Sequence, residues 1–371
     1  MRVAVVHDWL TGMRGGEKAL ERLLEVFPDA ELFTLLHVQG SVSRLIEGRP
    51  IHTAFTQHLP MAARAYRYYL PLFPAAIERF DFAGFDLVVS CSHCVAKSVK
   101  VPPHVPHLCY CLTPMRYAWD QFDAYFGPQK VGAVASAILK PVMARMARWD
   151  QETSTRVSRY LAISQYVARR IGLYYNRQSD VIYPPVDTDY FTPGSEPPGT
   201  RFVIVSALVP YKRLELAIDA AHAAGVPLDI IGDGPERQFL EARAASAPGV
   251  RLLGRLDDAA VRTHYRTAAA VLLPGEEDFG IVPVEAQACG RPVVALGRGG
   301  ATETVIHDET GLLVADDTVP AWAAALTIAA ARAWDTARIR RHAEGFSHGR
   351  FRAEFRHAVD DVLAAPRGTT W

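Results

Sequence analysis

The sequence predicts an α/β protein made of two parallel-sheet halves. Three observations carry this. Short apolar strands alternate with amphipathic helical stretches along the whole chain, which favours βα units. A proline-rich break near residue 184 interrupts the alternation, which restarts beyond it. At 371 residues the chain also exceeds what one hydrophobic core usually spans.

In the first half the strands are read at Val3–Val6, Leu32–Leu36, Leu87–Ser90, His107–Tyr110 and Leu161–Ile163. A helix after the first strand presents Ala19, Leu20, Leu23, Leu24 and Phe27 on one face. From Asp180 to Gly194 the chain carries consecutive prolines (Pro184, Pro185) and no helical period, so a strand end runs into a linker. The second half follows with strand Phe202–Val205, helix Leu214–Ala224, strand Leu228–Ile231, helix Glu236–Ala245 and strand Val250–Leu253. Helix Ala259–Thr267 and strands Ala270–Leu273 and Pro292–Leu296 complete the pattern. The expected division is 1–185 and 186–348, two Rossmann-like domains facing across a cleft, with a terminal helix of about 349–365 packing back on the first domain through Phe351, Phe355, Val359 and Val362.

Composition narrows the function. Forty basic and forty acidic residues balance, which argues against a general nucleic-acid binder. The chain opens directly on a strand, with no signal peptide or bilayer-length apolar run, and the expected compartment is cytoplasmic. Four of the five cysteines cluster as Cys91, Cys94, Cys109 and Cys111 near His93. Zinc ligation and buried reduced thiols are both open; the spacing suits thiols better, because no knuckle frames the pairs.

The most informative stretch runs from Pro274 to Gly290, between two apolar strands. It places Glu277 in a loop at a strand's carboxyl edge and Glu285 on a short helix, with Pro283 expected at the first helical position and Glu285 in the first turn. The N–H groups of about Gly280 to Val282 would face an anion. A carboxylate that merely complements the helix dipole explains Glu285 equally well when taken alone. Lys212 and Arg213 precede a helix, the unfavourable end for cations, as expected where an anionic ligand offsets the cost. Gly15 and Gly16 open the first helix and would admit an anion, although G-x-G-x-x-G is absent and a purely structural turn is the alternative. The turns at Gly232-Asp-Gly234 and at Gly254-Arg255 would line the same crevice edge, where a base and ribose could lie.

Taken in order, these segments resemble a retaining glycosyltransferase of group 1, family four, with the GT-B fold. Pro274–Glu285 is similar to that family's paired-glutamate motif, and Val209–Arg213 with Ile231–Glu236 to its nucleotide domain. His7–Leu10, Gly15–Lys18, Ser92-His93 and Thr113–Tyr117 resemble the branch of bacterial O-antigen and exopolysaccharide mannosyltransferases. The resemblance implies a nucleotide-sugar donor, GDP-mannose or a UDP-hexose, with no other cofactor, no metal and no nucleic acid. It implies that Glu277 contacts the donor sugar, Glu285 the ribose, Lys212 and Arg213 the diphosphate, and Gly16 the anion from the other domain. Asp278, Phe279, Gly280 and Ile281 would orient the sugar through backbone amides. Two departures stand out: many relatives carry arginine where this chain has Ala207 and histidine where it has Leu112.

A glycan or polyprenyl-linked acceptor is expected on the first domain, with Arg116 a candidate for its phosphate. The stretches 64–74 and 130–148 mix cations with aromatic and apolar residues, as a surface on an anionic inner membrane would. Helices packed on their own domain fit them as well. A sugar-nucleotide epimerase and a non-catalytic sugar-nucleotide sensor are the competing functions.

Overall fold

The computed structural model describes residues 1–366 and 368–371. The chain divides into two compact units, Met1–Tyr183 with Phe351–Trp371, and Pro184–Arg350.

In the first unit seven parallel strands are described: β1 Val3–His7, β2 Glu31–Thr34, β3 Ile51–Thr53, β4 Leu87–Ser92, β5 His107–Cys111, β6 Arg159–Ala162 and β7 Asp180–Val181. Their order is β3-β2-β1-β4-β5-β6-β7. Strands β1, β4 and β5 are buried along their whole length, as expected for a parallel sheet covered on both faces. The chain moves outward from β1 to β3, then returns to pair β4 against the other side of β1. Between β1 and β4 the winding reverses, and open α/β sheets bind ligands outside the strands' carboxyl ends at such a point.

The helix Gly15–Val26 buries the predicted Ala19, Leu20, Leu23 and Leu24. The helix His348–Ala364 buries Phe351, Phe355, Val359 and Val362; Phe355 meets Phe27 at 6.2 Å and Tyr110 at 5.9 Å between ring centres. Chain from beyond the second unit thus completes the first unit's core. The longest helix, Ala133–Glu152, holds Pro141 inside it. Before that proline Val134 and Ile138 are exposed, and after it Met143 and Met146 are buried.

In the second unit six parallel strands are described: β8 Phe202–Val205, β9 Leu228–Ile231, β10 Val250–Gly254, β11 Val271–Leu273, β12 Val293–Leu296 and β13 Gly311–Val314. Their order is β10-β9-β8-β11-β12-β13, so the reversal falls between β8 and β11. The core gathers Phe202, Ile204, Leu214, Ile218 and Leu272 with Trp322, which is fully buried on the helix Val319–Ala331.

The short strands β3 and β13 go beyond the elements predicted, while β7 is the strand end read at Asp180. Strand β2 ends at Thr34 rather than Leu36. Its continuation turns to receive the Leu10 N–H on the Leu36 carbonyl at 2.7 Å.

Candidate active site

The second unit's reversal point is built by two loops. One leaves β8 and carries Lys212; the other leaves β11 and carries Glu277. Gly275 lets them close up: a side chain there would lie 2.6 Å from the Tyr211 carbonyl oxygen and 2.7 Å from the Lys212 Cα. The Gly300 N–H holds the Glu277 carbonyl at 2.8 Å and fixes the second loop from the far side. Lys212 Nζ and Glu277 Oε1 form an ion pair, each side chain less than a fifth exposed.

Gly280, at φ +90° in the left-handed region, caps the helix Ile281–Ala288. The helix therefore starts two residues earlier than predicted. Pro283 is its third residue, where the missing N–H still costs little, and Glu285 lies past the first turn. This corrects the expectation of a first-turn carboxylate, and a simple dipole-complementing role for Glu285 weakens with it. Glu285 is buried, 6% exposed, and its Oε2 accepts a hydrogen bond from the fully buried Tyr265 hydroxyl at 3.1 Å. Burial, reinforced by the Glu285 charge, pushes the Tyr265 phenol well up, so it stays a donor.

The other predicted residues spread around this centre. Arg213, at φ +54°, turns its guanidinium to Asp317 at 2.9 Å and Glu215 at 3.0 Å. Partial burial opposes its charge, but those carboxylates raise its pKa. Phe279 packs inward, its ring 5.7 Å from Phe346 and 3% exposed; Asp278 beside it is half-buried. Gly254 ends β10, where its carbonyl accepts the Gly232 N–H at 2.8 Å, and Arg255 is exposed after it.

The first unit's reversal point has different chemistry. Gly15 and Gly16 open the helix after β1, and a side chain at Gly16 would meet Leu112 at 3.1 Å and the His7 ring at 3.7 Å. Asp8, fully buried just after β1, accepts backbone N–H groups from His93, Cys94, Val95 and Ala96 at 2.6–2.9 Å. It ties the loop after β4 to the end of β1. The His93 Nδ1 lies 3.1 Å from the same carboxylate, and its ring meets Trp9 edge to face at 4.5 Å. His7 is fully buried, with Nδ1 2.9 Å from the Cys91 carbonyl oxygen; burial lowers its pKa. Arg116 begins the short helix Arg116–Trp119.

His107 is a core histidine with both ring nitrogens engaged, Nε2 at 2.8 Å from Ser90 Oγ and Nδ1 at 3.3 Å from the Arg156 carbonyl. Burial lowers its pKa to about 3. Cys91, Cys94, Cys109 and Cys111 are free, buried thiols, and burial pushes those of Cys91, Cys94 and Cys111 well up. Among the described residues no group of three or more His, Cys, Asp or Glu side chains is placed to hold a metal ion.

Sequence reasoning named Asp8 and His93 only within separate motifs, did not pair them, and did not single out Tyr265. Asp8 and His93 are 85 positions apart, and only strand order joins them. The one available signal was that each follows a strand end.

The family described as "Glycosyl transferases group 1" matches residues 188–343, nearly the whole second unit. Residues 188–343 are therefore similar to a group 1 glycosyltransferase domain. The chain's two parallel-sheet units have the GT-B fold, shared with the Anabaena protein HepE in complex with UDP and glucose (TM-score 0.70, 18% identity, 97% of this chain and 100% of that one). The apo lipopolysaccharide outer core galactosyltransferase WaaB is comparably similar (TM-score 0.69, 15% identity, 97% and 99%). Curated relatives include the D-inositol 3-phosphate glycosyltransferases of Jonesia denitrificans (31% identical over 218 residues, half of each chain) and Mycobacterium tuberculosis (35% over 171 residues, 40% of this chain and 35% of that one). The chain thus spans about half the length, or less, of the curated relatives it matches.

Proposed function

We propose that the protein is a retaining hexosyltransferase. It takes a hexose from a nucleoside diphosphate sugar and passes it, without a metal ion, to a glycan or lipid-linked hydroxyl in cell-surface polysaccharide assembly. The observation that carries this reading is the Lys212–Glu277 pair at the second unit's reversal point, with Glu285 buried on the helix that the same loop opens.

In this reading the donor's diphosphate takes Lys212 as its counter-ion, and the N–H groups of Ile281 and Val282 face the same charge. Glu277, released from Lys212, accepts hydroxyls of the hexose, while Glu285, held by Tyr265, accepts those of the ribose. Arg213 acts at longer range, because Asp317 and Glu215 already hold it. The acceptor oxygen bonds to the anomeric carbon as the bond to the diphosphate breaks. The electron pair leaves with the diphosphate, which takes the acceptor proton on the same face of the sugar. Fixed cations and N–H groups lower the barrier because they need no reorganisation as charge develops.

GDP-mannose is the proposed donor, from the resemblance to mannosyltransferases. A UDP-hexose is the second reading, favoured by the structural likeness to HepE, which was solved with UDP-glucose. The protein works at the inner face of the cytoplasmic membrane. Met61, Tyr68, Val134 and Ile138 are exposed, and the stretches from Arg49 to Ile77 and Ala124 to Trp149 contain basic residues but no acidic ones. Among the described residues no helix is long and apolar enough to cross a membrane.

The test is product analysis with UDP-glucose and GDP-mannose, each offered with a polyprenyl-phosphate-linked saccharide extract. A new α-linked glycoside and the matching nucleoside diphosphate are expected, with chelator making no difference. Epimerised donor, or binding without turnover, would defeat the reading.

A further inference from the structure

We propose that Phe346 is a positioning residue for the loop that carries Glu277, acting through Phe279, and that it couples the state of that loop to the two stretches of chain joining the units. The role of Glu277 rests on the transferase reading; the coupling stands on the packing of the second unit alone.

The route is short. The chain enters the second unit at Pro184 and leaves it after Arg350. These two stretches meet inside the unit: the Val186 N–H donates to the Phe346 carbonyl at 2.9 Å, and Val186 is bridged in parallel to Ser347. The Phe346 ring is 5% exposed, and its centre lies 5.7 Å from that of Phe279, which is 3% exposed. Phe279 follows Glu277 and Asp278 and precedes Gly280, the cap of the helix Ile281–Ala288 that bears Glu285. One residue thus holds the crossing with its backbone and the Glu277 loop with its side chain.

The packing leaves Phe279 no slack. Against its backbone sits Gly300, where a side chain would lie 2.3 Å from the Phe279 Cα. Phe346 also meets His342 edge to face at 5.4 Å, on the helix Thr336–Glu344, and the His342 Nε2 lies 3.1 Å from the Thr304 carbonyl oxygen. That carbonyl accepts the Gln287 side-chain amide at 2.7 Å, from the helix of Glu285. Groups packed this closely shift together rather than yielding one by one.

A second tie leaves the other end of the same helix. Arg340 donates to the carbonyls of Ala288 at 2.9 Å, Phe191 at 2.6 Å and Thr188 at 2.8 Å. The helix of Glu285 is therefore anchored at both ends to the residues that follow the crossing. In the transferase reading Glu277 leaves Lys212 for the hexose, and this displacement is what the Phe279–Phe346 contact passes on.

The test is hydrogen exchange of the full chain, read by mass spectrometry in a peptide spanning 183–189. Pro184 and Pro185 carry no amide, so the peptide reports from Val186 onward. Without ligand, Phe346→Leu and Phe279→Leu should each speed exchange there about 5-fold or more, and the double variant should be no faster than the faster single one. With UDP-glucose or GDP-mannose the parent should slow about 3-fold or more, and Phe346→Leu should not respond. That variant should keep its affinity for UDP and GDP within twofold of the parent while its transfer kcat falls about 10-fold. Multiplying rates in the free double variant, or a bound donor that leaves the parent's peptide unchanged, would overturn the coupling. Equal falls in nucleotide affinity and kcat in Phe346→Leu would overturn the positioning role. Should Phe346→Leu fail to fold, the parent's own response to the donor decides. A parent that binds neither nucleotide nor nucleotide sugar, with non-multiplying rates in the free variants, would sink the donor reading and leave the coupling standing.

Discussion

The two units reverse their winding in the same way and use the reversal differently. In the second, charge faces charge: Lys212 pairs with Glu277, and Glu285 is buried beneath a tyrosine hydroxyl. In the first, the carboxylate of Asp8 is consumed by four backbone N–H groups, and the imidazoles of His7 and His93 lie beside it with Glu17 buried on the following helix. One topology thus carries two electrostatic characters, decided by whether the loop backbone neutralises the acid or a side-chain cation does. A diphosphate suits the charged arrangement of the second unit.

The sharpest way to break this comparison is to remove the second unit's cation. Lys212→Ala should lower kcat about 100-fold or more with donor saturating, because a preorganised cation at a leaving group contributes on the order of 3 kcal/mol to the barrier. The same substitution frees Glu277, so Lys212→Ala and Glu277→Gln together should cost far less than the sum of the two, as measured by a double-mutant cycle. Turnover of Lys212→Ala within fivefold of the parent would erase the distinction between the two reversal points.

Next in size is a pH effect that belongs to the first unit's histidines. Burial depresses the His107 pKa from 6.5 to about 3, so between those values the unfolded chain holds a proton that the folded one does not. Stability is complete above pH 6.5 and falls on acidification by about 1.4 kcal/mol per pH unit from this group alone. His7 acts in the same direction. In urea denaturation at several pH values between 6.5 and 4.5, His107→Gln should show a shallower loss than the parent. Parallel curves would mean that His107 charges inside the fold.

A finer effect tests Tyr265. Tyr265→Phe removes one hydrogen bond to a buried carboxylate, and about a 10-fold rise in nucleotide Kd, some 1.4 kcal/mol, is expected by calorimetry. Affinity for 2′,3′-dideoxynucleoside diphosphates should barely change. An equal loss for both ligands would assign Tyr265 to packing alone.

The smallest effect concerns the first unit's outer face. Val134→Ser with Ile138→Ser should weaken co-sedimentation with phosphatidylglycerol vesicles about 5-fold, leave phosphatidylcholine vesicles unaffected and leave nucleotide binding intact. Unchanged sedimentation would return that helix to the role of a packed surface element.

Much of this was legible in the chain because parallel strands buried on both faces read as unbroken apolar runs. Val3–Val6, Leu87–Ser90 and Val293–Leu296 are of that kind. Strand β3 has three residues at a sheet edge and leaves no apolar run long enough to read. Lys212 and Glu277 could be picked out because a cation at the wrong helix end and an acid in a glycine-rich loop are locally costly. Tyr265 could not, since a buried aromatic on an amphipathic helix looks like core until its hydroxyl partner is known. The helix start moved from Pro283 to Ile281 because Gly280 takes a left-handed conformation that ends the loop sooner. The pairing of Asp8 with His93 stayed hidden for a different reason: strand order, which no local pattern encodes, brings the two motifs together.

The measurement that bears most directly on the central claim is a calorimetric titration of the full chain, and of its Glu285→Gln and His93→Gln variants, with UDP and GDP. One of the two nucleotides should bind the parent with micromolar affinity, weaken about 10-fold or more in Glu285→Gln, and bind His93→Gln as it binds the parent. Absence of binding by either nucleotide, or loss of binding in His93→Gln with Glu285→Gln unaffected, would contradict the placement of the donor in the second unit.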